Sequence, residues 1–201
     1  GNGDGTFAPA QVVDVGDGPH GIAALDVDGD ADFDLVTADF VPGNLSLTLN
    51  NGAGVFGAAS TLDSGSGWEW TVTSGDMDND GIADLVVGVR TPDQIRILRG
   101  LGDGTFAFRS GMASGGGPWM VVVGDLDGDG NLDWILASYG GQRWDLFAND
   151  GSGVFAFDQR FFAAEAGSCA LPFDLDNDGD LDLALFDELA DTIRLLQNAA
   201  G

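Results

Sequence analysis

The chain has 201 residues, 44% of them apolar, and a formal net charge of −26 made by 30 aspartates and three glutamates against seven arginines and no lysine. That balance makes nucleic acid a poor partner, because a polyanion would meet a like-charged surface. Disorder is not indicated, since the apolar residues alternate regularly along the whole length.

The first landmark is the turn Gly3-Asp4-Gly5-Thr6-Phe7, whose two glycines supply positive φ and whose Phe opens a strand. Residues 5–14 are predicted as such a strand. Gly21 to Leu25 reads as a short apolar strand that leads into Asp26-Val-Asp28-Gly-Asp30-Ala-Asp32-Phe-Asp34. Leu35 to Phe40 continues as a second strand, Pro42-Gly43-Asn44 turns it, and Leu45 to Leu49 alternates as a half-exposed third strand does. Asn50-Asn51-Gly52 then turns into a predicted fourth strand from Phe56.

The same order recurs. Aspartate loops begin at Asp26, Asp76, Asp125 and Asp174, at offsets of 50, 49 and 49 residues. The glycine turn recurs on the same beat as Gly52-Ala-Gly-Val-Phe56, Gly102-Asp-Gly-Thr-Phe106 and Gly151-Ser-Gly-Val-Phe155. Second strands are predicted at Leu85-Val-Val, Trp134-Ile-Leu and Leu183-Ala-Leu, and third strands at Ile95-Arg-Ile-Leu, Trp144-Asp-Leu-Phe and Ile193-Arg-Leu-Leu. No amphipathic helix is convincing. Residues 187–197 are ambiguous alone, and their register with the other third strands decides for β. The chain therefore divides into four repeats, 1–50, 51–100, 101–150 and 151–201. Four-stranded units of this length bury both faces only by stacking, so the expected fold is an all-β propeller of four four-stranded blades.

Each aspartate loop sets carboxylates at positions 1, 3, 5 and 9, and these positions take sixteen of the aspartates. Four anions within nine residues repel strongly unless a hard cation lies among them. Oxygen donors without neighbouring His or Cys point to calcium. The expected side-chain ligands are Asp26, Asp28, Asp30 and Asp34; Asp76, Asp78, Asp80 and Asp84; Asp125, Asp127, Asp129 and Asp133; Asp174, Asp176, Asp178 and Asp182. The backbone carbonyls of Asp32, Ile82, Asn131 and Asp180 complete each set. About four calcium ions per chain would bring the charge to about −18. An EF-hand is excluded by the missing glutamate at position 12 and by the flanking strands.

Nothing resembles catalytic machinery. His20 is the single histidine, with no Ser or Cys in a triad-like context, and there is no lysine for Schiff-base or phosphate chemistry. The glycine turns lack the Lys and the helix of a phosphate loop. A non-enzyme is expected. Cys169 lies in an apolar stretch and reads as a buried structural thiol. No run of about 18 apolar residues occurs, so no membrane insertion is expected. Gly1 opens the chain as it would in a processed secreted protein or an excised fragment.

Counting back six residues from each loop gives His20, Trp70, Trp119 and Ser168, with Trp68 and Glu69 beside Trp70. One strand length, roughly 20 Å, separates them from the loops, so they belong on the opposite face. His20, Trp68, Trp70 and Trp119 are candidate ligand contacts; the same rings could instead fill the wedge between blades.

The combination of Asp-x-Asp-x-Asp-Gly-x-x-Asp-Leu with Gly-x-Gly-x-Phe resembles the FG-GAP/VCBS repeat of integrin-α-like calcium-binding propellers, over essentially the whole chain. Ala31 stands where that pattern has glycine and Trp134 where it has leucine; Ala31 could weaken the first site, because position 6 favours a left-handed backbone. The family's lectin members imply glycan binding on an aromatic face. The expected function is a secreted or cell-surface, calcium-stabilised carbohydrate-binding or adhesion module, with glycans or cell-surface proteins as partners. The alternative is a purely structural or protein-interaction module of a larger surface protein.

Two closures are open at this point, and the remaining alternative is a fragment of a larger propeller. The strand at 5–14 can complete the last blade of its own chain, or of a second chain in an eight-bladed homodimer. Sizeable inner-strand residues such as Val72, Val121, Val123, Leu171 and Phe173 favour the homodimer.

Overall fold

A computed structural model describes residues 1–41, 43–65 and 67–198; Pro42 of the expected turn and the last three residues of the fourth repeat lie outside them. The chain is all-β. The first sheet orders β1 (Asp17–Leu25), β2 (Asp34–Val41), β3 (Asn44–Thr48) and β4 (Ser60–Leu62). The second orders β5 (Glu69–Gly75), β6 (Asp84–Arg90), β7 (Asp93–Gly100) and β8 (Phe106–Ala113), and the third β9 (Pro118–Gly124), β10 (Asp133–Ser138), β11 (Arg143–Asn149) and β12 (Phe155–Phe162). The fourth holds β13 (Gly167–Phe173), β14 (Asp182–Asp187) and β15 (Thr192–Leu196). All pairings are antiparallel meanders.

The sheets succeed one another about one axis as the blades of a four-bladed β-propeller. Inner strands β1, β5, β9 and β13 neighbour each other in that order, and all four line an axial hollow of about 510 Å³. Among the described residues no comparably packed strand pair joins the fourth blade to the first.

Three apolar clusters fill the three junctions. Val36, Leu45 and Leu47 meet Val72, Leu85 and Val87 between the first two blades. Met77, Val86 and Ile95 meet Val121, Trp134 and Leu136 at the next. Ile135, Trp144 and Leu146 meet Ala170, Leu183 and Leu185 at the last. Neighbours on both faces explain why β6 and β10 are continuous apolar runs, buried along almost their whole length, rather than alternating ones.

Three expectations are corrected. Residues 5–14 form no strand, and among the described residues the fourth blade has three strands, not four. Pro9 lacks a ladder donor. The following Gly16 lies so close to Asp39 and Ser46 that a Cβ there would meet them at 2.2 and 2.9 Å. That contact holds the segment on the first blade. The first blade's outer strand begins at Ser60, with Phe56 in an isolated bridge to Asn50. Cys169 is only half-buried, and it lines the axial hollow. The blades also straddle the repeat frame read from sequence, since each runs from an inner strand to the outer strand beyond the glycine turn.

Candidate metal centres and aromatic face

Each aspartate loop joins an inner strand to a second strand and is folded by its own carboxylates. Asp26 accepts the backbone N–H groups of Gly29 (2.8 Å) and Ala31 (2.9 Å); Asp125 does the same with Gly128 and Gly130, and Asp174 with Asn177 and Gly179. Drawing those amides inward demands left-handed backbone at positions 4 and 6. Position 4 is Gly29, Asn79, Gly128 and Asn177, at φ of 78, 57, 77 and 64°, all residues that tolerate it. Position 6 is glycine in three loops, and Ala31 takes φ 71° in the first, so the first loop carries the backbone cost expected of that substitution.

The carboxylate at position 9 is fully buried in every loop. It accepts from the amide at position 2 and from an amide sixteen residues further on, at the end of the third strand. The pairs are Val27 and Asn50 on Asp34, Met77 and Gly100 on Asp84, Leu126 and Asn149 on Asp133, and Leu175 and Asn198 on Asp182, all between 2.7 and 3.1 Å. Sequence reasoning assigned these aspartates to metal alone and missed the clamp. The constant sixteen-residue spacing to Asn50, Gly100, Asn149 and Asn198 was its available signal.

Positions 1, 3 and 9 of each loop bring one carboxylate oxygen apiece to within 4.8 Å of one another: Asp26, Asp28 and Asp34; Asp76, Asp78 and Asp84; Asp125, Asp127 and Asp133; Asp174, Asp176 and Asp182. Position 5 stands apart. Asp30, Asp80, Asp129 and Asp178 each use one oxygen to accept the amide of position 7, at 2.8–3.2 Å, leaving the other oxygen to turn inward or to a neighbour.

These residues fit a hard divalent cation. Asp28 Oδ1, Asp78 Oδ1 and Asp180 Oδ1 are buried without any hydrogen-bond partner. Desolvation, with repulsion from Asp30, Asp34 and Asp26, pushes the Asp28 carboxyl up. Burial pushes Asp84 up to about 6 against the pull of the Gly100 and Met77 amides, and it raises Asp133 likewise. Asp180 also rises to about 6, through desolvation and its contact with Asp178. A cation at the loop centre would favour the charged carboxylates and so oppose each shift.

Among the described residues only the second loop carries guanidinium partners. Arg99 contacts Asp78 (3.0 Å) and Asp80 (2.5 Å), and Arg109 reaches Asp78 (2.5 Å) from the outer strand. Arg109 also donates to the Ser152 carbonyl, tying this loop to the third blade.

Asp133→Asn tests the position-9 clamp. An amide keeps the shape but turns a donor toward one of two buried N–H groups, leaving it unpaired at a cost of about 1–3 kcal/mol. Metal analysis should show one fewer bound ion, with a melting temperature lower by several degrees. Unchanged stoichiometry would remove Asp133 from the ligand set.

The face reached by counting back six residues is aromatic. His20 stacks on Trp70 at 3.8 Å, Trp70 lies 5.0 Å from Trp119, and Trp119 stacks on Tyr139 at 4.7 Å. Phe40 joins Trp68 at 5.0 Å and meets His20 and Trp70 edge-on. The Arg90 guanidinium lies 4.5 Å from the Trp70 ring and 5.5 Å from the Trp119 ring. Phe40, Trp68, Arg90, Trp119 and Tyr139 border an open hollow of about 420 Å³. Trp68 is 49% exposed, and Trp70 and Trp119 are half-buried. The wedge role belongs instead to the fully buried Trp134 and Trp144. Of the flanking candidates, Ser168 donates to the Phe186 carbonyl, and Glu69 is buried against Ser64 and Arg96, so neither joins the row. Sequence reasoning missed Phe40, Arg90 and Tyr139. They sit at one place in three blades, six residues after the position-9 aspartate, the mirror of the spacing that found His20, Trp70 and Trp119.

The crystal structure of the V. cholerae biofilm matrix protein Bap1 is similar in fold, at TM-score 0.51 and 18% identity, covering 91% of this chain and 31% of that one. The chain thus spans about a third of that protein's length. A structure of BBS1N in complex with ARL6DN covers 88% of this chain and 76% of that one at 12% identity and TM-score 0.40, too low to carry an argument. No curated protein matches the sequence. The family model described as FG-GAP-like repeat matches residues 26–87, 84–136 and 125–185, spans that take in all four aspartate loops. With three successive repeats matched over most of its length, the chain belongs to the FG-GAP-like repeat family.

Proposed function

We propose that this propeller is a calcium-stabilised extracellular binding module that takes carbohydrate on the face opposite the metal loops, with a binding rather than a catalytic role. The observation that carries the reading is the row of half-exposed rings from His20 through Trp70 and Trp119 to Tyr139. Flat rings open to solvent offer apolar area to the C–H face of a sugar, while Arg90, Thr91 and Asp93 at the hollow supply hydrogen bonds to hydroxyl groups. Calcium is the cation the oxygen-only donor set favours. Extracellular sites bind it at about 10⁻⁴–10⁻³ M, an affinity that fits a location outside the cell.

In this reading the metals hold the blades and do not touch the sugar. A glycan array in calcium, followed by titration of the best ligand into Trp119→Ala, tests it. The expected result is at least a tenfold loss of affinity with melting within a few degrees of the parent, because the ring is half-exposed and leaves no sealed cavity. A blank array, or a ligand bound equally well by Trp119→Ala and Trp70→Ala, would overturn the carbohydrate reading in favour of a protein-interaction module.

A further inference from the structure

Most of the chain's few positive charges are engaged by its own carboxylates. Arg96 pairs with Glu69, Arg99 and Arg109 with Asp78, and Arg143 and Arg160 with Asp145. Among the described residues, Arg90 and Arg194 form no ion pair. Arg194 is exposed on β15, whereas Arg90 is half-buried at the aromatic face. Asp93 stands opposite Arg90 in the β6–β7 hairpin and borders the same hollow, yet the two side chains do not pair. In a chain of net charge −26, a guanidinium at a hollow without a carboxylate partner is an exception.

Rings hold Arg90 instead. Its backbone N–H donates to the Trp68 carbonyl at 2.9 Å, and its Cζ lies over the Trp70 ring at 4.5 Å and the Trp119 ring at 5.5 Å. Contact with ring faces uses the flat side of a guanidinium and leaves the N–H groups along its edge for a planar acceptor. The rim of the hollow beside that edge is bare. Gly116, Gly117 and Gly140 form it, and a Cβ added at Gly117 would lie 4.0 Å from Arg90 Nε with nothing nearer. Phe40 and Tyr139 occupy the place of Arg90 in their own blades, so a ring there would have continued the apolar row. A neutral sugar needs only such rings and scattered hydrogen bonds; the cation adds a fork that matches a carboxylate.

We propose that this face selects sugars that carry a carboxylate, with the acid group on the edge of the Arg90 guanidinium and the sugar ring on the adjoining aromatic surface. The inference rests on the carbohydrate reading above and narrows it to acidic glycans. Recognition is local, because the rest of the chain repels an anion; Asp93 at the rim opposes the acid and limits the site to one carboxylate at a time.

An array of matched pairs in millimolar calcium tests the selection. It carries uronate-containing and sialylated oligosaccharides, each beside its carboxyl-reduced form, with sulfated analogues and poly-glutamate as further spots. The parent should bind the acid of at least one pair about tenfold better than the reduced form, and the pair that responds tells a uronate from a sialic acid. In titrations of that pair, Arg90→Gln should bring the ratio near one. Arg90→Lys should keep part of it, since the charge survives without the fork, and Asp93→Asn should raise it. Acid and reduced forms bound alike would overturn the inference and leave the carbohydrate reading standing, whereas blanks at every sugar would fail that reading itself. An acid preference unchanged in Arg90→Gln would overturn the role of Arg90 and leave it a support for the tryptophans. Sulfated analogues bound above the carboxylates would overturn the choice of acid. Poly-glutamate bound above every sugar would overturn the proposal and assign the face to an acidic peptide.

Discussion

Chelation of calcium should lower the melting temperature by roughly 10–20 °C. With free metal about tenfold above Kd, each site contributes about 1.4 kcal/mol by mass action. Four clusters sum to roughly 6 kcal/mol, and a chain of this size shifts by about 2–4 °C per kcal/mol. The effect has a pH signature. Asp84 titrates at about 6 in the folded, metal-free chain, well above the ordinary aspartate value, and Asp28 and Asp133 are raised for the same reason of burial among like charges. A raised carboxyl favours the fold while protonated, so that contribution is complete below about 4 and lost as pH rises through about 6. In chelator the protein should thus melt higher at pH 5 than at pH 7.5. In calcium the order should reverse, because protons compete with the ion for the same oxygens. Melting in high salt, which screens the chain-wide repulsion, checks both. Identical curves with and without chelator would remove the metal from the stability of the fold.

Trp144→Ala should be the most damaging single substitution in the apolar junctions, at about 3–5 kcal/mol. The ring is fully buried between the third and fourth blades, and its Nε1 donates to the Cys169 carbonyl at 2.9 Å. A Cβ on Gly167 would already meet the indole at 3.1 Å, so the ring is closely enclosed and its removal leaves a void with no flexible neighbour to fill it. Trp144→Phe should recover part of the loss by restoring ring volume without the hydrogen bond. Urea unfolding of both variants measures the difference. Equal midpoints for Trp144→Ala and the parent would mean that the last junction contributes little to the stability of the chain.

The blades were legible in the sequence because every repeat carries two fixed signals, the aspartate loop and the glycine turn, and both are local. Residues 187–197, ambiguous in isolation, resolve into the end of β14 and β15 as the shared register required. What was not legible depends on partners distant in the chain. The strand expected at 5–14 needed an edge more than 180 residues away, whereas Gly16 is held by Asp39 and Ser46 of the adjoining blade. Within the sites, the acidic spacing announced a cation but not the division of labour. Asp34 and its counterparts hold amides from two segments, and Asp30 and its counterparts brace the loop turn. The aromatic face was half visible. His20, Trp70 and Trp119 share a spacing from the loops, while Arg90 disguised the place it shares with Phe40 and Tyr139 by being a charged residue among rings.

The three junctions have a consequence for how order is lost. Each blade packs on its immediate neighbours, so the molecule behaves as a short row of units coupled pairwise rather than as one body with a single centre. The second and third blades are packed between two neighbouring blades, while the outer two have one neighbouring blade each, the first with the segment at Gly16 against its other side. Among the described residues no strand pairs the outer side of β15, so the fourth blade is held by fewer ladder hydrogen bonds than the others. Fraying therefore starts at β15 and moves inward blade by blade. A change that strengthens one junction protects the blades on either side of it and leaves the far end of the row to melt as before.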